Sequence, residues 1–308
     1  MRLPAVLIEA FASAPCQGNG ACVVLLDQPL GAAAMQEIAG SLRQSETAFL
    51  LRHGQHWLLR WFTPTCEVQL CGHATLASLL ALAHWGELEP GASLVFHSRS
   101  GPLPVELAAA GRGSIVLPSS GLIPAPLPEP LAALLRQRTG VAPLRFWTSS
   151  LGYAVALLPA GHSLAGLEGL ADQVPPEVRQ GLVVMAAISD AQGAPPLLDG
   201  SRADYQLRFF APGLGIPEDP VTGSAHALVA PYWLAQTGRT AVVGWQPSTR
   251  PGGMLCTCPS SGMIRLLGTG HLLWDGTLHY GQSEPGASAG STSCAADGPD
   301  WEALLTPG

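Results

Sequence analysis

Two short stretches hold residues whose types and spacing could do chemistry. Cys71-Gly72-His73-Ala74 and Thr222-Gly223-Ser224-Ala225 each open an apolar run, at residues 74–83 and 225–235. A Gly at the start of a buried helix leaves backbone N–H groups free to point at a ligand. The partial positive charge there favours an anion. Two such starts facing one another would grip a small acid from both sides. His73 and Ser224 occupy matching places and could add side-chain hydrogen bonds. Taken singly, Ser224 reads as a helix cap and His73 as a structural histidine; the duplicated setting favours the binding reading. Cys71 could be a thiolate activated by the helix start, or a buried small residue. Thr222 holds the matching place in the second stretch.

Three further groups could move or hold a proton. Glu46, in Ser45-Glu46-Thr47-Ala48-Phe49, lies against apolar neighbours that would raise its pKa, as a carbon acid's base requires. By sequence alone a solvent-facing turn residue is the plainer reading. Asp219 precedes Pro220 and so sits in extended chain, where it could cap the second helix. Asn19, in Gly18-Asn19-Gly20, reads as a turn; it is the single Asn of the chain.

These groups need elements to position them, and an internal repeat supplies the plan. Leu59-Arg60-Trp61-Phe62-Thr63-Pro64 matches Leu207-Arg208-Phe209-Phe210-Ala211-Pro212 at an offset of 148 residues, and the Gly-centred turns follow at an offset of 151. An acidic residue lies between, Glu67 in one copy and Glu218-Asp219 in the other. Each copy reads as strand, loop, turn and a helix apolar on all sides, with Pro231 expected to kink the second. Strand-like segments fall at 21–26, 48–51, 94–97, 114–117, 154–158, 182–188, 241–245 and 264–267. Further helices are few, at 32–43 and 130–139. A β-sheet wrapped around one buried helix, twice, is the simplest architecture. We expect an N-terminal unit over 1–112, completed by 268–281, a C-terminal unit over 113–267, and a flexible tail over 282–308.

Composition narrows the chemistry. The chain has 308 residues, 15 Arg and no Lys, against 22 Asp plus Glu. Without Lys there is no Schiff base for pyridoxal phosphate or an aldolase, and no phosphate loop ending in Gly-Lys-Ser/Thr. The net charge is −7 and no basic stripe is visible, which argues against a nucleic-acid partner. No apolar run approaches the ~18 residues of a membrane span. The apolar start at residues 3–8 is short for a signal peptide and reads as a first strand. Seven irregularly spaced Cys argue against a disulfide framework and for a reducing, cytoplasmic setting. Cys256-Thr257-Cys258 is a weak metal candidate without a second ligand pair; no metal or other cofactor is expected.

Together these stretches resemble the phenazine-biosynthesis (PhzF-type) isomerase/epimerase family and its phenazine biosynthesis-like domain proteins. The resemblance rests on Gly18-Asn19 with Ala21-Cys22-Val23-Val24, on Ser45-Glu46-Thr47-Ala48-Phe49, and on Arg60-Trp61-Phe62-Thr63-Pro64 leading to Cys71-Gly72-His73-Ala74-Thr75. In the second half it rests on Phe210-Ala211-Pro212, Glu218-Asp219-Pro220-Val221-Thr222-Gly223-Ser224-Ala225-His226 and Tyr232-Trp233, with Arg250-Pro251-Gly252-Gly253 later. It implies an α+β, diaminopimelate-epimerase-like fold: two pseudo-symmetric domains, each a β-barrel-like sheet around a central buried helix. It implies that Glu46 is the general acid/base, that His73 and Asp219 position substrate and assist proton transfer, that Gly72, His73, Gly223 and Ser224 hold the carboxylate, and that Asn19 is a site wall. It also implies a homodimer. Gly20 stands where the family usually has Pro.

The expected function is a cofactor-independent isomerase shifting a proton on a small carboxylic acid with one Glu. Two rivals remain: an amino-acid epimerase using Cys71, and a non-catalytic protein that keeps the cleft for binding. Related epimerases use two Cys, and Thr222 cannot serve as the second.

Overall fold

The computed structural model describes residues 1–189, 201–281 and 301–305. Eight strands close into a ring in the first half: β1 (Arg2–Ala10), β2 (Asn19–Leu26), β3 (Glu46–His53), β4 (His56–Phe62), β6 (Ser93–Ser98), β7 (Gly101–Ala109), β8 (Arg112–Pro118) and β17 (Met263–His279). β5 (Glu67–Val68) lies alongside β4. The apolar start at residues 3–8 lies within β1.

The second half repeats the pairing with β9 (Ile123–Pro124), β10 (Arg145–Thr148), β11 (Ala154–Leu157), β12 (Leu182–Ala187), β13 (Tyr205–Ala211), β14 (Ile216–Asp219), β15 (Ala241–Gln246), β16 (Gly252–Ser260) and the first part of β17. The order of parallel and antiparallel pairs is the same. β2 runs parallel to β3 as β11 does to β12, and β4 parallel to β6 as β13 does to β15. β17 serves both sheets. Residues Met263–Thr269 pair with β8, and Gly270–His279 pair with β1.

Each half encloses one helix, α2 (Gly72–His84) or α4 (Gly223–Thr237). α2 is buried from Gly72 to Leu82, as its lack of a polar face predicts. α4 is buried on all sides only over its first turns; beyond Ala230, Trp233 is the only buried residue of the helix. The helix continues past Pro231 to Thr237. α1 (Ala32–Leu42) and α3 (Glu129–Thr139) pack outside the sheets.

Most of the stretch expected to be a flexible tail, 282–308, lies outside the described residues. Its Trp301–Leu305 part does not behave as a tail. Trp301 is 2% exposed, donates its indole N–H to the Leu30 carbonyl at 3.1 Å, and joins a cluster with Leu3, Met35, Phe49 and Leu58. Among the described residues no helix is long and apolar enough to cross a membrane.

Candidate active site

The two repeated turns meet. A Cβ built on Gly72 would lie 3.6 Å from the Cα of Gly223, and the reverse distance is the same. Neither helix start has a side-chain cap; their N-caps are Cys71 and Thr222. The first-turn N–H groups of both helices, the unpaired donors of any helix start, therefore converge on one place.

The residues singled out in the sequence gather there. Glu46 is the first residue of β3 and is 8% exposed. Its carboxylate lies 3.2 Å from His73 Nε2. His73 Nδ1 lies 3.4 Å from Cys71 Sγ and 3.2 Å from Asn19 Nδ2. Asn19 is not in a free turn: it opens β2, buried, and donates to Asp219 Oδ1 at 2.6 Å and to the Val221 carbonyl at 3.1 Å. It thereby joins the first half to the second. Asp219 does not cap α4. Its other oxygen accepts the Thr222 hydroxyl at 2.6 Å.

Three residues passed over in the sequence complete the cluster. Ser45 Oγ lies 3.2 Å from His73 Nε2 and donates to Gly20 O at 3.0 Å or Asn19 Oδ1 at 3.2 Å. Its signal was its place beside Glu46. Gln246 is fully buried and braces the second turn, donating to the Asp219 carbonyl at 2.5 Å and accepting Thr222 N–H at 3.0 Å. The Tyr153 hydroxyl lies 3.4 Å from Ser224 Oγ. Neither Tyr153 nor Gln246 sits in a local motif; strand topology alone brings them to the site.

The charges follow from this packing. Burial pushes Glu46 up, but the His73 charge and hydrogen bonds from His73, Ser45 and Cys71 outweigh it, so its carboxyl is held below the ordinary value. The raised pKa expected from apolar neighbours is therefore reversed. Burial opposes a charge on His73, yet Cys71 and Glu46 outweigh burial and hold it well above the usual imidazole value. Asp219 carries the raised carboxyl instead, pushed to about 6 by burial, opposed by His73 and reinforced by Glu46. Burial and Glu46 also push the Cys71 thiol up to about 11. Near neutrality Cys71 is a thiol, not the activated thiolate that a helix start could produce.

Glu46, Cys71 and His73 bring one potential ligand atom each within 4.8 Å of one another, a set these same hydrogen bonds already occupy. Cys256 is buried and Cys258 exposed, and the Cys256 thiol lies 3.7 Å from the Tyr205 hydroxyl.

The helix starts are held by a repeated ion pair. Arg60 donates from Nε and Nη2 to both oxygens of Glu67 at 2.7 and 2.8 Å. Arg208 does the same to Glu218 at 2.6 and 2.6 Å. Each guanidinium also lies over the ring two residues on, Phe62 or Phe210, at 5.4 and 5.5 Å. Glu67 and Glu218 lie in β5 and β14, the short strands that precede α2 and α4.

The phenazine biosynthesis-like protein family profile matches residues 8–269. The chain is 36% identical over 261 residues to an uncharacterized isomerase of Pseudomonas aeruginosa, covering 83% of this chain and 91% of that one. It is 33% identical over 295 residues to phenazine biosynthesis-like domain-containing protein 1 of mouse, covering 90% and 99%. The crystal structure of a PhzF-family phenazine biosynthesis protein from Enterococcus faecalis superposes with a TM-score of 0.74 at 29% identity, covering 91% and 100%. The fold and these matches place the chain in a class of two-barrel, epimerase-like α+β proteins. Within that class it belongs to the phenazine biosynthesis-like (PhzF) family.

Proposed function

We propose that the protein is a cofactor-independent isomerase that moves a proton on a small carboxylic acid, with Glu46 as the acid and base. The observation that carries this reading is the gathering of Glu46, His73 and Asp219 where two uncapped helix starts meet. The helix N–H groups and Ser224 bind the substrate carboxylate without any side-chain cation. Glu46, ionised and buried, takes a proton from one carbon. The electron pair left behind shifts within the substrate, and Glu46 returns the proton to another carbon. His73, positively charged beside Glu46, stabilises the negative charge that develops. Asn19 and Thr222 hold Asp219 against the same space. An isomerase activity is also the name given to the Pseudomonas aeruginosa relative.

Against the Cys71 epimerase reading stand the thiol pushed up to about 11 and the threonine at the matching position. A screen of small cyclic and amino acids for thermal stabilisation identifies ligands. Each ligand is then incubated with enzyme in heavy water. Deuterium should enter with the parent protein and not with Glu46→Gln, which still binds. Exchange by Glu46→Gln at the parent rate would overturn the mechanism; loss in Cys71→Ala alone would favour the epimerase.

A further inference from the structure

The repeat sets unlike groups on the two sides of the cleft. Phe62 and Phe210 hold matching places in it. Phe62 pairs with Thr47 on β3, and Phe210 with Leu182 on β12. Thr47 therefore matches Leu182, and the residues just before them, Glu46 and Gly181, match each other. The neighbouring parallel strands carry the match further. Cys22 of β2 pairs with Thr47, and Ala154 of β11 with Leu182, so Ala21 matches Tyr153. One barrel has a small residue beside a carboxylate; the other has an aromatic ring beside a glycine.

The ring takes the space that the glycine leaves. A Cβ built on Gly181 would lie 2.5 Å from Tyr153 Cδ1. Phe209 backs the ring, with centroids 4.8 Å apart, and the Tyr153 N–H donates to Ser149 Oγ at 3.2 Å. The hydroxyl meets its helix start as Glu46 meets the other. Glu46 lies 3.2 Å from His73, the residue after Gly72, and the Tyr153 hydroxyl lies 3.4 Å from Ser224, the residue after Gly223. Burial raises the phenol's pKa, helped by Asp219 and Cys71 and opposed by the Ser224 hydrogen bond. Near neutrality the group is a phenol that can donate, not a phenolate that accepts a proton.

We propose that Tyr153 is the counterpart of Glu46 on the other side of the substrate, a neutral donor whose hydroxyl binds a carboxylate oxygen alongside Ser224. The inference rests on the proton-shift reading above. When Glu46 takes a proton from a carbon next to the carboxylate, or joined to it through a double bond, the electron pair spreads onto the carboxylate oxygens. A hydrogen bond to those oxygens strengthens as the charge builds. Tyr153 itself gives up no proton. The substrate class is narrowed accordingly, to acids whose acidic C–H is conjugated with the carboxylate.

Tyr153→Phe tests this, because it keeps the ring over Gly181 and removes only the hydroxyl. Its denaturation midpoint should equal the parent's. Calorimetry with benzoate, a planar carboxylate that needs no proton transfer to bind, reads the hydrogen bond alone. The parent should bind it, and Tyr153→Phe at least ~10-fold more weakly. Equal binding by the two, or none by the parent, overturns the assignment. For an acid that the parent labels in heavy water, deuterium entry at saturation should fall at least ~10-fold in Tyr153→Phe; an unchanged rate would overturn the part played in the reaction. Parent-rate exchange by Glu46→Gln would instead overturn the proton-shift reading and leave the carboxylate donor standing.

Discussion

Gly72 and Gly223 touch backbone to backbone, with 3.6 Å between the Cα of one and a Cβ built on the other. The contact sets the separation of the two helix starts and hence the size of the anion they could hold. A Cβ on Gly72 would also meet the side-chain ends of Leu117 and Ile115 at 3.3 and 3.4 Å. Gly223→Ala should therefore fold with a stability change under ~1 kcal/mol, and Gly72→Val should lose ~1–3 kcal/mol by overpacking. Urea denaturation checks both. Gly72→Val should also abolish thermal stabilisation by any carboxylic acid that stabilises the parent.

Asp219 titrates near 6 in the folded protein, above its ordinary value of 3.8. The folded state thus binds more protons than the unfolded state between these values, and stability falls as pH rises from ~4 to ~6. Asp219→Asn removes that dependence. The gap between variant and parent should grow in the variant's favour across this window, by at most ~3 kcal/mol, since Asp219 is only partly buried by surface area. The same variant should lack an inflection near pH 6 in the parent's rate profile.

Glu46 and His73 titrate as a pair. With the Glu46 pKa lowered, its stabilisation is present above 4.5 and lost as pH falls through the folded value. With the His73 pKa raised, its stabilisation is present below 6.5 and lost as pH rises through the folded value. In Glu46→Gln the imidazole keeps its burial and loses its anion. NMR titration of His73 should show its midpoint move down. An unchanged midpoint would mean that Glu46 is not its partner.

Arg208 is buried and pairs with the half-buried Glu218. Replacing it with Met should cost ~3–5 kcal/mol, because the Glu218 carboxylate is left without its partner. Arg265→Met breaks an exposed pair with Glu106, 41% exposed on both sides, and should cost less than ~1 kcal/mol. Denaturant midpoints compare the two directly.

Trp301→Ala should destabilise the protein by ~3–5 kcal/mol, the effect of deleting a buried Trp. The ring also lies 5.2 Å from the Arg60 guanidinium, so part of the loss should vanish in an Arg60→Met background. A double-mutant cycle measures that share.

Much of the fold was legible. Most of the segments read from the sequence lie within a few residues of observed elements, because both halves repeat one pattern of buried strands and one apolar helix; β17, read only over 264–267, runs Met263–His279, and β7, β10 and β16 were not read. Glu46, His73, Asp219 and Asn19 were named, and they do come together. Their electrostatics were not legible. Glu46 is lowered and Asp219 raised because His73 touches one carboxylate directly and serves the other less than burial does, a difference set by the folded packing. Arg60 and Arg208 were visible as a repeat, but their pairing with Glu67 and Glu218 needed the hairpins that bring them together. Trp301 was hidden by the polar stretch before it; one large ring suffices to anchor a short segment.

The strand shared by the two barrels has a mechanical consequence. Gly268 and Gly270 lie where β17 passes from one sheet to the other, and a Cβ built on either would collide with the side chain of Phe11 or Leu80. No loose tether joins the halves at this seam. Any widening of the space between the helix starts must flex a hydrogen-bonded ribbon at these two glycines, with Phe11 as the fulcrum. A side chain added at Gly268 would collide with Phe11, so the ribbon that joins the two sheets is held to glycine at this point.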